Sequence, residues 1–192
     1  MTNWLTVHWV ACALVMGTML LLFTPVLAIH WTMPMILLYL QMPIYMLHQV
    51  EEHWGDRFRQ YVNRQIFGGA EALSHAAILV INIPGVWGVN LLSLYAANFA
   101  GIGWGLAAVY LTLFNALVHM AGGLRSGYNP GLWTAVATFV PIGGAAWWAI
   151  GQSPEVTRLH HITGLAIAVG VHLAIVVYAK VKAGATTTSG TQ

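Results

Sequence analysis

Six runs of about twenty mainly apolar residues follow one another along this chain. A run of that length, wound as an α-helix, matches the roughly 30 Å hydrocarbon thickness of a bilayer. The expected fold is therefore all-α, a polytopic transmembrane helical bundle of about six spans. The runs are read as residues 4–28, 34–52, 70–94, 99–122, 131–150 and 157–181. Pro34 suits a first helical turn, and Pro84-Gly85 marks a kink in the third run. Gly101, Gly103 and Gly105 open the fourth and permit close helix packing.

Composition excludes the soluble alternative. Charged residues make up 6% of the chain, against about 25% in a soluble domain, too few to cover a water-facing surface. A net charge of +2 gives no basis for nucleic-acid binding. The lone cysteine, Cys12, rules out an internal disulfide framework. No Lys or Arg precedes the first run, so it reads as a retained span and not as a cleaved signal peptide. Residues 1–182 form one domain without internal repeat, and 183–192 read as a disordered polar tail.

Between the second and third runs, residues 53–67 place Trp54, Phe58, Tyr61 or Val62, and Ile66 at helical spacing, with Arg57, Arg59 and Arg64 opposite. That pattern is an interfacial amphipathic helix lying on the membrane. With six spans and an internal amino terminus, Arg57, Arg59, Arg64, Arg125, Lys180 and Lys182 all fall on the cytoplasmic side and Arg158 on the other. This agrees with the positive-inside rule, and both termini are expected in the cytoplasm.

Against this apolar background the segment His48-Gln49-Val50-Glu51-Glu52 stands out, because two of the five acidic residues of the chain lie side by side in it. Adjacent carboxylates at an apolar edge are costly unless a cation binds them. Gln41, Tyr45, His48 and Glu52 form one polar stripe on the second helix. Glu71, His75 and Asn82 share a face on the third, and Thr112, Asn115 and His119 on the fourth. His48, His75 and His119 each sit about one turn from the cytoplasmic end, so the stripes are expected to converge.

His48, Glu51, Glu52, Glu71, His75 and His119 are thus the candidate ligands, a set that suits one or two divalent ions of iron, zinc or manganese. Glu51 and Glu52 are also candidate general bases. Arg125 and Tyr128, at the same face, are catalytic candidates, Arg125 for balancing excess carboxylate or holding an anionic headgroup and Tyr128 for donating a hydrogen bond, with plain positive-inside anchoring as the alternative. His172 is a deeper, secondary candidate. His53 reads as a supporting or headgroup-facing residue, and His8, His30, His160 and His161 as interfacial.

These residues resemble the HXXEE-domain family of small bacterial membrane proteins. The resemblance rests on His48-Gln-Val-Glu51-Glu52, on Ala70-Glu71, on the span ending in His119, and on Tyr128-Asn129-Pro130-Gly131 followed by Thr134. It covers about residues 45–141 and implies a multi-pass protein of the bacterial inner membrane with shared site residues, but no reaction. The family usually carries a second Glu beside the position of Glu71 and often a His where Asn115 stands; this chain has Ala72 and Asn115.

The expected function is a membrane metalloenzyme acting on a lipid or isoprenoid-like hydrophobic substrate, with the carboxylate count leaning towards an iron-type, di-metal oxidoreductase over a hydrolase. The alternatives are a proton- or metal-coupled transporter using Asn82, Thr138 and His172 as a path, and a non-catalytic membrane subunit. A homo-oligomer is compatible with each.

Overall fold

The computed structural model describes residues 2–189, with side chains described for 4–185. It is helical throughout. The helices are α1 (Thr2–Leu27), α2 (Met33–His53), a short α3 (residues 57–66), α4 (His75–Ala100), α5 (Ile102–Ser126), α6 (Leu132–Gly151) and α7 (Arg158–Ser189). α1, α4, α5, α6 and α7 are long and apolar enough to cross a membrane. α2 has 21 residues, the length of a span, but is more polar. Its polar side chains Gln41, His48, Gln49, Glu52 and His53 are all buried inside the bundle. The departure from six equally apolar spans is thus the polar stripe itself.

α2 packs along α1, α7 packs along α5, and α6 lies against both α2 and α5. Lipid tails are as apolar as leucine, so helices here associate through close packing and internal hydrogen bonds. Gly105 shows the packing: it lies against Leu38 of α2, where any β-carbon would collide with that side chain.

Proline shapes two helices. α4 widens to a π-helical stretch, Ile81–Trp87, around Pro84, and α6 does so over Ala135–Gly143, around Pro141. A proline removes one backbone donor and crowds the preceding turn, and a widened turn accommodates both. The kink at Pro84-Gly85 was legible in the sequence, whereas the stretch at Pro141 was not.

The connection from α2 to α4 positions the site. Gly55 and Asp56 both take left-handed backbone angles, φ 67° and 63°, and turn the chain off α2. In α3, Phe58, Tyr61 and Val62 pack inward with Leu73, Trp9 and Ala179, while Arg57 and Arg64 are exposed. Asn63 clamps the following loop, accepting from Leu73 N at 2.8 Å and donating to Leu73 O at 2.9 Å. Ser74 then caps α4, its hydroxyl accepting from Ala77 N. The third long helix therefore begins at His75 and not near residue 70. Glu71 lies in the loop before it, so Glu71 and His75 do not share a helical face.

The same packing gathers the start of α1, α3 and the end of α7 at one end of the bundle, and a Tyr61–Ser126 hydrogen bond of 3.2 Å adds the end of α5. Arg57, Arg59, Arg64, Arg125, Lys180 and Lys182 belong to this end; Arg158 begins α7 at the other. α7 continues to Ser189, into the stretch read as a polar tail; residues 190–192 lie outside the described residues. Impermeant maleimide is expected to label Arg64→Cys and Ser153→Cys, each in a Cys12→Ser background, from opposite sides of sealed vesicles. Labelling from the same side rejects the topology.

Candidate metal centre

The last turns of α2, the last third of α5 and the start of α6 meet towards the basic end of the bundle. α2 delivers His48 and Glu52 one turn apart, both buried. α5 delivers His119, also buried. One ligand atom from each of these three residues lies within 4.8 Å of the others. His48 Nε2 stands 3.7 Å from Glu52 Oε2, and His119 Nε2 stands 3.6 Å from Glu52 Oε1. Two atoms sharing an ion at bond lengths of about 2.1 Å lie about 3.0–3.5 Å apart at right-angle to tetrahedral geometry. The separations here are close to that range, and the group can hold a metal ion.

The hydrogen bonds around the imidazoles decide which nitrogens are free. Thr134 Oγ1 lies 2.6 Å from Glu51 Oε2 and 3.3 Å from Gly131 O, and both are acceptors only, so its single proton points to one of them. It must therefore accept from His48 Nδ1–H, at 2.8 Å. His48 Nε2 is left with its lone pair, buried and without a hydrogen-bond partner among the described residues. His119 repeats the arrangement. Asn129 Nδ2 donates to the His119 carbonyl at 2.9 Å, which turns Asn129 Oδ1 towards His119 Nδ1–H at 2.7 Å. Both imidazoles thus donate through Nδ1 to an oxygen and turn Nε2 towards Glu52. Metal-binding histidines are held in this way.

Ring packing fixes the same rotamers. The His48 ring lies 4.4 Å from that of Phe139 and 4.8 Å from that of His119, measured between centroids. Beneath both imidazoles is Gly131, at φ 98°, where a β-carbon would come within 2.7 Å of Cε1 of each ring.

The adjacent glutamates have separate partners. Glu51 accepts from Thr134 N at 2.7 Å and Trp133 N at 3.2 Å, the free amides at the start of α6, and from the hydroxyls of Thr134 and Tyr128 at 2.6 and 3.2 Å. A carboxylate on exposed helix N–H groups satisfies donors that have no intrahelical partner and complements the helix dipole. Glu51 is therefore the cap of α6, and Glu52 faces the imidazoles. Partial burial and the neighbouring Glu51 carboxylate push the Tyr128 phenol above its ordinary value, so Tyr128 stays a donor near neutral pH.

Glu71 and His75 are not brought into this group. Both are exposed, because the capped start of α4 leaves Glu71 in a loop and His75 at a helix end; His75 Nε2 lies 3.7 Å from Asp56 Oδ2 instead. Arg125 is exposed at the end of α5. Among the described residues His172 is hydrogen-bonded locally, its Nδ1–H donating to Ala168 O at 2.8 Å. The sequence reading has Asn129 only within the Tyr128–Gly131 stretch of the resemblance; its spacing of ten residues from His119 carries no periodic signal. It also ranked His53 low, although His53 Nε2 lies 3.0 Å from Glu52 Oε2. His53 further lines a cavity of about 1030 Å³ with Trp9, Trp54, Asp56, Glu71 and His75.

A family model described as "Protein of unknown function with HXXEE motif" matches residues 39–146. That span contains every residue of the buried group and of its hydrogen-bonded surround. Neither the curated proteins nor the solved structures contain a match.

Proposed function

This chain belongs to the HXXEE family, and on that premise we propose that it is a membrane metalloenzyme whose His48, Glu52 and His119 hold one divalent iron, zinc or manganese ion. The observation that carries the reading is the pair of Nδ1-anchored imidazoles facing one buried carboxylate. Such an ion supplies Lewis acidity towards a substrate oxygen or towards water. The residues of the chain do the rest. Thr134 and Asn129 hold the two imidazoles in one tautomer, Glu51 fixes Thr134, and Phe139 and Gly131 set the ring positions. A single ligand group among the described residues supports one ion over two, which weakens the di-metal reading and leaves oxidation and hydrolysis equally open.

The site lies within a bundle of apolar helices, near the basic end that the positive-inside rule assigns to the cytoplasm. That placement supports a hydrophobic, lipid-like substrate of the bacterial inner membrane, with Arg125 and Tyr128 at the same end of the bundle for a polar headgroup. Gln41 Oε1 and Asn115 Oδ1, buried and without a hydrogen-bond partner among the described residues, favour a second reading, ion transfer deeper into the bundle. Against it, Thr138 and His172 are each hydrogen-bonded within their own helix.

Protein purified in detergent without chelators is expected to carry about one equivalent of iron, zinc or manganese per chain by elemental analysis, and His48→Ala to carry none. A parent free of metal overturns the proposal.

A further inference from the structure

His53 has the contacts of a ligand, and they are set from outside the group. Trp87 Nε1–H can only donate, and it meets Gln49 Oε1 at 2.7 Å. The Gln49 amide is thereby oriented, and its Nε2 donates to Asn82 Oδ1 at 2.8 Å. Asn82 is oriented twice over, since its Nδ2 also donates to the Ile78 carbonyl at 2.9 Å. The same Nδ2 faces His53 Nε2 at 3.2 Å. An N–H aimed at that nitrogen requires a lone pair there, so His53 carries its proton on Nδ1, as His48 and His119 do.

The consequence is electrostatic. His53 Nε2, bearing a lone pair, stands 3.0 Å from Glu52 Oε2, and both residues are buried, each 6% exposed. At that distance, shielded from water, the two are held together by a proton on His53 Nε2 or by a cation lying against both, and the Asn82 N–H aimed at Nε2 disfavours the proton. A separation of 3.0 Å also matches two ligands about 2.1 Å from one ion at a right angle. The Asn82 contact is longer than the usual 2.9–3.0 Å, a weak bond that a cation replaces.

Resting on the metal reading above, we infer that His53 is a further ligand of the same ion, held in the binding tautomer by the Trp87–Gln49–Asn82 chain. The set is then three imidazoles and Glu52. Of these four, His53 lines the cavity between α1 and the α2–α4 connection, so the ion and any exchanging molecule reach the set past His53.

The test uses the full chain in detergent with Co(II) as probe. In the parent, Co(II) is expected to give visible d–d bands, which His48→Ala abolishes. His53→Gln is expected to alter their intensity and to weaken Zn(II) binding, measured by competition with a chromophoric chelator, at least about tenfold. His75→Gln, on the same cavity, is expected to change neither. In a Cys12→Ser background, His53→Cys places a thiolate at the ion and is expected to add a near-ultraviolet sulfur-to-cobalt charge-transfer band. A parent with d–d bands whose His53→Gln variant has the same spectrum and affinity, or whose His53→Cys variant lacks the new band, overturns the role of His53 alone. A parent that takes up no Co(II) overturns the metal reading and this inference together.

Discussion

Glu52→Gln is expected to reduce the metal content from about one equivalent to a trace while leaving the helical bundle intact. The substitution keeps the shape of the side chain and removes the one charge that faces the imidazoles. His48 and His119 keep their Nδ1 partners Thr134 and Asn129, but the imidazoles that remain, His53 included, no longer have the carboxylate that neutralises a divalent charge inside an apolar bundle. If the chain is an enzyme, lipid extracts of cells expressing Glu52→Gln should match those of cells lacking the chain, and extracts of cells expressing the parent should differ. Identical extracts in all three would sink the lipid-enzyme reading, and full metal content in Glu52→Gln would sink the site. Glu51→Gln is the contrast. Its loss falls on the α6 cap and on Thr134, so it should lower the unfolding midpoint and weaken metal affinity by 10–100-fold, the usual size of a supporting-residue effect.

The second large effect is expected at Gly131. Alanine there meets two penalties. A left-handed backbone costs about 1–2 kcal/mol for a residue with a β-carbon. The new methyl would also press on the His48 and His119 rings, within 2.7 Å of each Cε1, and overpacking of this kind costs about 1–3 kcal/mol. Gly131→Ala should therefore lose metal and unfold at a markedly lower temperature. Gly69→Ala separates the two terms, because Gly69 has the same φ as Gly131, 98°, and open space around its Cα; it carries the backbone penalty alone. Equal behaviour of the two variants would show that the imidazoles are not seated on Gly131.

Much of this was legible in residue order. Apolar run length gave the helices, because in lipid the backbone has few alternatives. The 3.6-residue period put Gln41, His48 and Glu52 on one stripe, and the structure buries that stripe whole. Depth along the helices correctly paired His48 with His119. The reasoning broke down where it assumed that helices start where apolar residues start. Ser74 caps α4, which starts at His75, five residues later than that rule places it, and Glu71 and His75 leave the site as a result. It was also blind to contacts without a period. Thr134 and Asn129 act through a loop and a helix start, and nothing in their spacing announces that one fixes His48 and the other His119. The roles of the two adjacent glutamates could not be separated from sequence either. One residue along a helix is a rotation of about 100°, enough to send Glu51 to another helix and Glu52 to the imidazoles.

The reach of Glu51 to α6, a hydrogen bond spanning 83 residues of chain, ties the site to the order of synthesis. When the His48–Glu52 segment enters the membrane, the residues that fix its imidazole have not yet been made. Until α6 arrives, His48 lacks Thr134, and His119 waits for Asn129. A truncated or stalled chain therefore carries the motif but not the centre.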